Sequence, residues 1–227
     1  MRIDTFRNAI DFVPENYKKF FLAPLIYESS VHTNTSGVFK GFYKSKKENI
    51  GKFGGEGGNA LQRIMGNIEL PKPFFSNYDS EVLLYKKDAN NLVKNLKNVD
   101  ITYIDPPYNQ HPYGSNYFML NTIIDNKVDS DISKVAGIPK EWNKSLYNKK
   151  NKSLLVFEDL IENIDSKFLI ISYNNEGFIP LEELSAMLQK YGEVKIKDIT
   201  YPTFRASRNL QNRSKYVTEY LITLKKK

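Results

Sequence analysis

The pattern of apolar and polar positions changes character near residue 79. From there on, short apolar runs alternate with stripes of helical period. Val82, Leu83, Leu84 and Tyr85 form a continuous apolar run that predicts a strand, and Asp88 is placed to cap a helix whose Leu92, Val93 and Leu96 share one face. Residues 100–104 predict a second strand, which ends at a double proline. Leu154, Phe157, Leu160, Ile161 and Ile164 recur at helical spacing, with Glu158, Asp159, Glu162 and Asp165 on the wet side. Residues 168–173 are almost uninterruptedly apolar, as in a parallel strand buried on both faces. Pro180 opens another helix, with Leu184, Met187 and Leu188 inside and Gly192 just past its end. Residues 193–200 and 216–224 predict two closing strands.

Strands alternating with helices define an α/β class, with a mostly parallel sheet and a terminal antiparallel pair. Before residue 79 the pattern differs: residues 6–28 look helical, broken by Pro14 and Pro24, and residues 33–58 read as loop. The predicted organisation is therefore a helical and loop lobe over 1–78 and a sheet layer over 79–227. Residues 126–151 are polar and read as a long surface excursion that includes the single tryptophan, Trp142.

Charge sharpens this division. The chain has 227 residues and a formal net charge of +7. Residues 40–52 contribute +4 and residues 204–227 contribute +6, so the remainder is slightly acidic and the field has a direction. Such a field suits a polyanionic partner. The absence of cysteine removes disulfides, thiolate nucleophiles and thiolate metal sites, suits a reducing compartment, and leaves no metal site to expect. No apolar signal core opens the chain and no run of roughly 18 apolar residues is present, so the expectation is a cytoplasmic protein with no membrane partner.

The most informative residues are Asp105, Pro106, Pro107 and Tyr108, directly after the strand at 100–104. Ligands of open α/β sheets bind outside the carboxyl ends of strands, which is where this tetrapeptide falls. Its two prolines lack N–H groups and hold the backbone extended, leaving the neighbouring carbonyls free to accept hydrogen bonds. Asp105 adds an acceptor-only carboxylate and Tyr108 an aromatic face. An exocyclic amino group needs two acceptors to hold its hydrogens, and a base taken out of a duplex needs a stacking surface. Taken alone, the tetrapeptide serves equally well as a strand-ending turn. Asp88, at the end of the other predicted strand, has the same two readings, helix cap or acceptor for an adenine-bearing cofactor.

The longer segment 105–118, together with 32–43 and 204–209, resembles the D12-class N6-adenine-specific DNA methyltransferases of restriction-modification systems. The likeness runs from about Phe20 to the C-terminus. It implies a partial Rossmann-like sheet, S-adenosylmethionine as methyl donor, a flipped adenine in double-stranded DNA as acceptor, and direct attack of the amino nitrogen without a covalent enzyme intermediate. Carried over to these positions, Asp105 and the Pro106 carbonyl would hold the amino group, with Pro107 fixing the turn and Tyr108 stacking on the ring. Asp88 would contact the cofactor's adenine, and Asn116 and Phe118 would line the cofactor and target pockets.

Members of the class also carry a strand leading into a Phe-x-Gly-x-Gly turn for the cofactor's methionine moiety. The literal match here, Phe53-Gly54-Gly55-Glu56-Gly57, comes after a lysine-rich polar run instead of a buried strand and better suits a loop beside a phosphate backbone. The expectation is a half-enzyme completed by an N-terminal fragment on a separate chain, unless the gene is truncated or the strands rearrange. The family also implies a cognate restriction endonuclease. DNA contacts are expected from His32, Asn34, Lys40 and Lys44 in the lobe, and from Arg205, Arg208, Asn209, Arg213 and Lys215 near the end, where arginines and amides interleave with aromatics. Lys225, Lys226 and Lys227 read as a solubilising tail. Two other functions fit the same residues: a DNA-binding subunit without catalysis, and methylation of an amino group on RNA or protein.

Overall fold

The computed structural model describes residues 3–32, 61–128, 131–132, 138–202 and 216–227. Its elements are α1 (Ile3–Ile10), α2 (Glu15–His32), α3 (Leu61–Ile64), α4 (Ala89–Val93), β1 (Val99–Ile104), α5 (Tyr113–Asn116), α6 (Phe118–Asp125), α7 (Ser153–Asn163), β2 (Ser166–Asn174), α8 (Leu181–Gln189), β3 (Gly192–Pro202) and β4 (Tyr216–Lys226). They fall into two compact units. One comprises Met1–Glu81 and Tyr113–Asn143, the other Val82–Pro112 and Lys144–Lys227. Sequence pattern leaves 113–143 with the sheet layer, whereas by spatial clustering it belongs with the helices.

In the helical unit Pro14 separates α1 from α2, but Pro24 lies inside α2 without ending it. A proline removes one helical N–H, and here the helix continues around fully buried Leu25. Buried Arg7 completes the end of α6: its Nε donates to the Ile123 carbonyl at 2.7 Å and Nη2 to that of Ile124 at 3.0 Å. Its Nη1 pairs with Asp11 at 2.6 Å, and Asn126, left-handed at φ 49°, closes the same helix and donates to Asp11. The Arg7 and Asn126 hydrogen bonds hold the Asp11 carboxyl below its usual range. Trp142 packs against Gly114, its Cε3 lying 3.3 Å from where a Cβ would stand.

The sheet unit has four strands in the order β1-β2-β4-β3. Only β1–β2 is parallel; β2–β4 and β3–β4 are antiparallel. The α/β class and the closing antiparallel pair therefore stand, while the mostly parallel sheet does not. The run 82–85 is not a strand either. All four side chains are exposed, and among the described residues no neighbour supplies the backbone partners that a strand requires.

One face of the sheet carries the core. Ile104, Leu169, Ile171, Tyr173, Ile222 and Leu224 meet Phe157, Leu160 and Ile161 of α7 and Leu184, Met187 and Leu188 of α8. The helical spacing read from sequence thus marks the packed faces of both helices. The opposite face is bare: Ile101, Tyr103, Phe168 and Leu221 are 59%, 60%, 45% and 37% exposed. Burial of residues 168–173 on both faces is accordingly not realised. Among the described residues, no helix is long and apolar enough to cross a membrane.

Two of the three closing lysines are structural. Lys226 Nζ donates to the carbonyls of Ile161 at 2.8 Å and Ile164 at 2.6 Å, satisfying the carboxyl end of α7, and the Lys227 amide donates to the Tyr191 carbonyl. A cation at helix carbonyls contributes about 0.3–2 kcal/mol. Lys226→Ala should therefore lower stability by about 1 kcal/mol in urea unfolding, whereas exposed Lys225→Ala should change it by less than about 0.5 kcal/mol.

Candidate active site

β1 ends at buried Ile104, and the chain then runs through Asp105-Pro106-Pro107-Tyr108 at the strand's carboxyl end. Asp105 is exposed, and among the described residues its carboxylate has no hydrogen-bond or ion-pair partner. None of the described residues donates to the Pro106 carbonyl. At this strand tip, then, the Asp105 carboxylate is exposed and unpartnered, whereas Pro106 is buried and its carbonyl has no donor among the described residues.

The chain just beyond this acceptor pair is firmly held. Phe178 donates its amide to the Tyr108 carbonyl at 2.8 Å, and Asn148 Nδ2 donates to the Asn109 carbonyl at 2.7 Å. The Tyr108 ring stands edge-on to Tyr173, with centroids 6.1 Å apart at 71°, and Tyr173 in turn stacks on Phe157 at 6.4 Å and 23°. Tyr173 is 2% exposed, and its hydroxyl accepts the Ile179 amide at 3.2 Å. At the end of β2, Asn174 is buried, accepts the Glu176 amide at 3.0 Å and hydrogen-bonds the Tyr108 phenol. The loop after β2 is therefore the scaffold of the tetrapeptide.

Burial raises the Tyr108 phenol above its ordinary value; the Asn174 hydrogen bond opposes this, and the charges of Glu219, Asp105 and Glu176 add to the rise. The ring is consequently neutral throughout the physiological range.

Asp88 caps α4, its Oδ1 accepting the Asn91 amide at 3.0 Å. The carboxylate is exposed, and its Oδ2 has no partner among the described residues, so capping leaves an acceptor open. Beneath it, the Tyr147 hydroxyl donates to Asn90 Oδ1 at 2.8 Å, and Asn90 Nδ2 donates to the Val156 carbonyl at 2.8 Å and to Asp159 at 2.6 Å. Burial, with the nearby Asp88 and Asp159 charges, pushes the Tyr147 phenol strongly upward.

The sheet unit thus holds Asp88 and residues 105–108. Asn116 ends α5 and buried Phe118 opens α6, both in the helical unit. His32 ends α2, 3.7 Å from Glu28, and lines a largely apolar cavity of about 420 Å³ with Ile3, Arg7, Met119, Ile123 and Val128. Asn34, Lys40, Lys44, Arg205, Arg208, Asn209, Arg213 and Lys215 lie outside the described residues, as does the glycine-rich 53–57. Sequence reasoning misses Asn148, Tyr173, Asn174 and Phe178. Asn148 sits in a polar excursion with no signal to distinguish it, and Tyr173 reads simply as strand.

The carboxyl end of β1 thus carries an exposed carboxylate beside an anchored aromatic ring. Residues 2–187 match the D12 class N6 adenine-specific DNA methyltransferase family, and the chain belongs to it. It is 29% identical over 228 residues to the type II methyltransferase M.NlaIII of Neisseria lactamica, a match covering 100% of this chain and 63% of that protein. It is 31% identical over 233 residues to the modification methylase StsI of Streptococcus sanguinis, covering 100% of this chain and 32% of that one. Against the type II methyltransferase M.CviAII of Paramecium bursaria Chlorella virus 1, identity is 29%, covering 91% of this chain and 58% of the relative. The chain thus spans 32–63% of these relatives' lengths. No solved structure matches.

Two changes test the scaffold. A Cβ on Gly177 would lie 2.4 Å from Tyr173 Cε1, and that ring cannot retreat between Phe157 and Tyr108. Gly177→Ala should destabilise by about 1–3 kcal/mol and alter the near-ultraviolet circular dichroism. Because its folded pKa is raised, Tyr108 contributes stability that is present below the ordinary tyrosine value and lost as pH rises through the raised one. Tyr108→Phe should therefore shift alkaline unfolding to higher pH, read by far-ultraviolet circular dichroism.

Proposed function

We propose that this chain is the target-base half of a DNA adenine methyltransferase, one that transfers a methyl group from S-adenosylmethionine to N6 of adenine in a specific duplex sequence and needs a complementing N-terminal half for turnover. The observation that carries this reading is the pair of unpartnered acceptors at Asp105 and Pro106 beside the anchored ring of Tyr108. Family membership supplies the chemistry they suit.

The Asp105 carboxylate and the Pro106 carbonyl accept the two amino hydrogens of a flipped adenine, which turns the nitrogen lone pair away from both oxygens. Tyr108 stacks on the extruded ring and replaces the neighbouring bases of the duplex. A neutral phenol suits this role, since an ionised one would repel electron-rich purine edges. Pro107 supplies no donor that could compete for the acceptors and restrains the turn.

When bound, S-adenosylmethionine supplies a methyl group on a positively charged sulfur. The free Oδ2 of Asp88 fits an adenine amino group of that cofactor, and Asn116 and Phe118 are assigned cofactor contacts on the family's pattern. The cofactor's sulfur would keep the C–S electron pair when the methyl group is transferred, and Asp105 would take the proton shed by the amino nitrogen and pass it to water. Fixed acceptors give this site its selectivity for an amino nitrogen.

In this reading the sheet unit forms part of a Rossmann-like layer, and the 1–78 lobe contacts DNA. His32, Asn34, Lys40 and Lys44 face the duplex from the lobe, and Arg205, Arg208, Asn209, Arg213 and Lys215 grip phosphates and base edges. Binding should weaken steeply with salt. The protein would act with a restriction endonuclease in the cytoplasm. The exposed apolar run at 82–85 favours a second reading for the chain in isolation, a DNA-binding subunit without turnover.

Transfer of a labelled methyl group from S-adenosylmethionine to duplex DNA tests the proposal, with and without a complementing half. The expected product is N6-methyladenine in the complemented mixture, reduced by about 10²-fold or more in Asp105→Ala. DNA binding with no transfer would favour the second reading. Unaltered transfer by Asp105→Ala, or labelling confined to RNA or protein, would refute the assignment of Asp105 or of the substrate respectively.

A further inference from the structure

Two neighbouring residues of the polar excursion reach towards different parts of the sheet unit. Tyr147 and Asn148 lie in the short turn Leu146–Asn148, which Ser145 opens by accepting the Tyr147 amide on its Oγ at 3.2 Å. The Lys149 amide closes the turn on the Leu146 carbonyl at 3.0 Å, and the Ser153 amide, donating to the Lys149 carbonyl at 2.9 Å, carries it into α7. From this base the Tyr147 hydroxyl donates to Asn90 Oδ1 at 2.8 Å, two residues beyond Asp88. Asn148 Nδ2 donates to the Asn109 carbonyl at 2.7 Å, one residue beyond Tyr108.

Each grip is fixed from behind. Asn90 is buried, and its Nδ2 is engaged by the Val156 carbonyl and Asp159, which leaves Oδ1 to face the Tyr147 hydroxyl. The Tyr147 ring stands edge-on to Phe157, with centroids 6.2 Å apart at 66°. Burial, then the Asp88 and Asp159 charges, keep its phenol protonated, so it remains a donor. Asn148 Oδ1 is buried and has no hydrogen-bond partner among the described residues. Buried acceptors rarely go unsatisfied, so this amide stands where it does for its donor side, the grip on Asn109.

We propose that Tyr147 and Asn148 are positioning residues: their turn is a strut that sets the separation between the Asp88 carboxylate and the segment Asp105–Tyr108, and with it the gap a methyl group must cross. This rests on the assignment of Asp88 to the cofactor and of residues 105–108 to the target base. The two ligands are held by different elements, the start of α4 and the end of β1. A displacement of about 1 Å between reacting groups costs on the order of 10²-fold in rate. The strut touches neither ligand, so it governs turnover and leaves the affinity for each ligand alone unchanged. Its two grips act in series, and releasing either one frees both ends.

Two readouts on the full chain test the strut. In nuclear magnetic resonance spectra, Asn148→Ala should move the Asn91 amide, which Asp88 caps at the far end, and Tyr147→Phe should move the amides of Tyr108, Asn109 and His111. Methyl transfer from S-adenosylmethionine to duplex DNA is then followed with the chain alone and complemented. Each variant should lower kcat about tenfold or more while KM for the cofactor and for DNA stays within about threefold. The double variant should fall within about twofold of the slower single variant, because a strut cut at one end transmits nothing from the other. Shifts confined to the altered end, or kcat losses that multiply in the double variant, would overturn the strut. So would raised KM with kcat unchanged, which would make these residues binding contacts. If Tyr147→Phe does not fold, an unmoved Asn91 amide in Asn148→Ala is sufficient to refute the proposal. Crossed shifts with no transfer by the unaltered chain would support the mechanical link and count against the catalytic reading.

Discussion

The packing of Tyr173 between Phe157, on which it stacks, and Tyr108, which it meets edge-on, is the contact on which the rest of the sheet unit's organisation turns. It links the core beneath the sheet to the tetrapeptide at its tip: Phe157 belongs to α7, Tyr173 to β2 and Tyr108 to the tetrapeptide. A ring held on both sides and through its hydroxyl has little rotational freedom, so the segment resting on it is preorganised. Preorganisation matters wherever a site works by hydrogen-bond geometry, since misplaced acceptors lose their direction.

Asp88 illustrates how one side chain can serve fold and chemistry together. Capping uses a single carboxylate oxygen, and a carboxylate has two. The network of Asn90, Tyr147 and Asp159 below it ties α4 to α7 and to the turn at Leu146–Asn148. Residues with no chemical part in the proposed reaction therefore determine where the free oxygen stands.

Periodicity makes the helices and closing strands of the sheet unit legible, because Phe157, Leu160 and Ile161, or Leu184 and Leu188, repeat on the face they bury. The tetrapeptide is legible because two prolines after a strand leave so few conformations. Pro24 misleads because local chemistry argues for a break, whereas tertiary burial of Leu25 sustains the helix. The apolar run at 82–85 and the apolar side of β2 mislead for a different reason: apolar runs predict buried strands, whereas among the described residues 82–85 has no strand partner and one face of β2 is exposed. Lys226 reads as tail because no sequence rule reveals that a terminal ammonium will meet three carbonyls at the end of a helix far earlier in the chain. Asn148 escapes notice likewise, since a single amide in a polar stretch carries no spacing.

The bare face of the sheet has a practical corollary for handling the purified chain. An uncovered strand rim beside aromatic side chains is a template for unwanted self-pairing, and nothing along β1 itself blunts it except Asp100, which Lys167 already neutralises at 2.7 Å. Dilute conditions should favour dispersed material, and concentrating the protein alone should invite aggregation that begins at that rim.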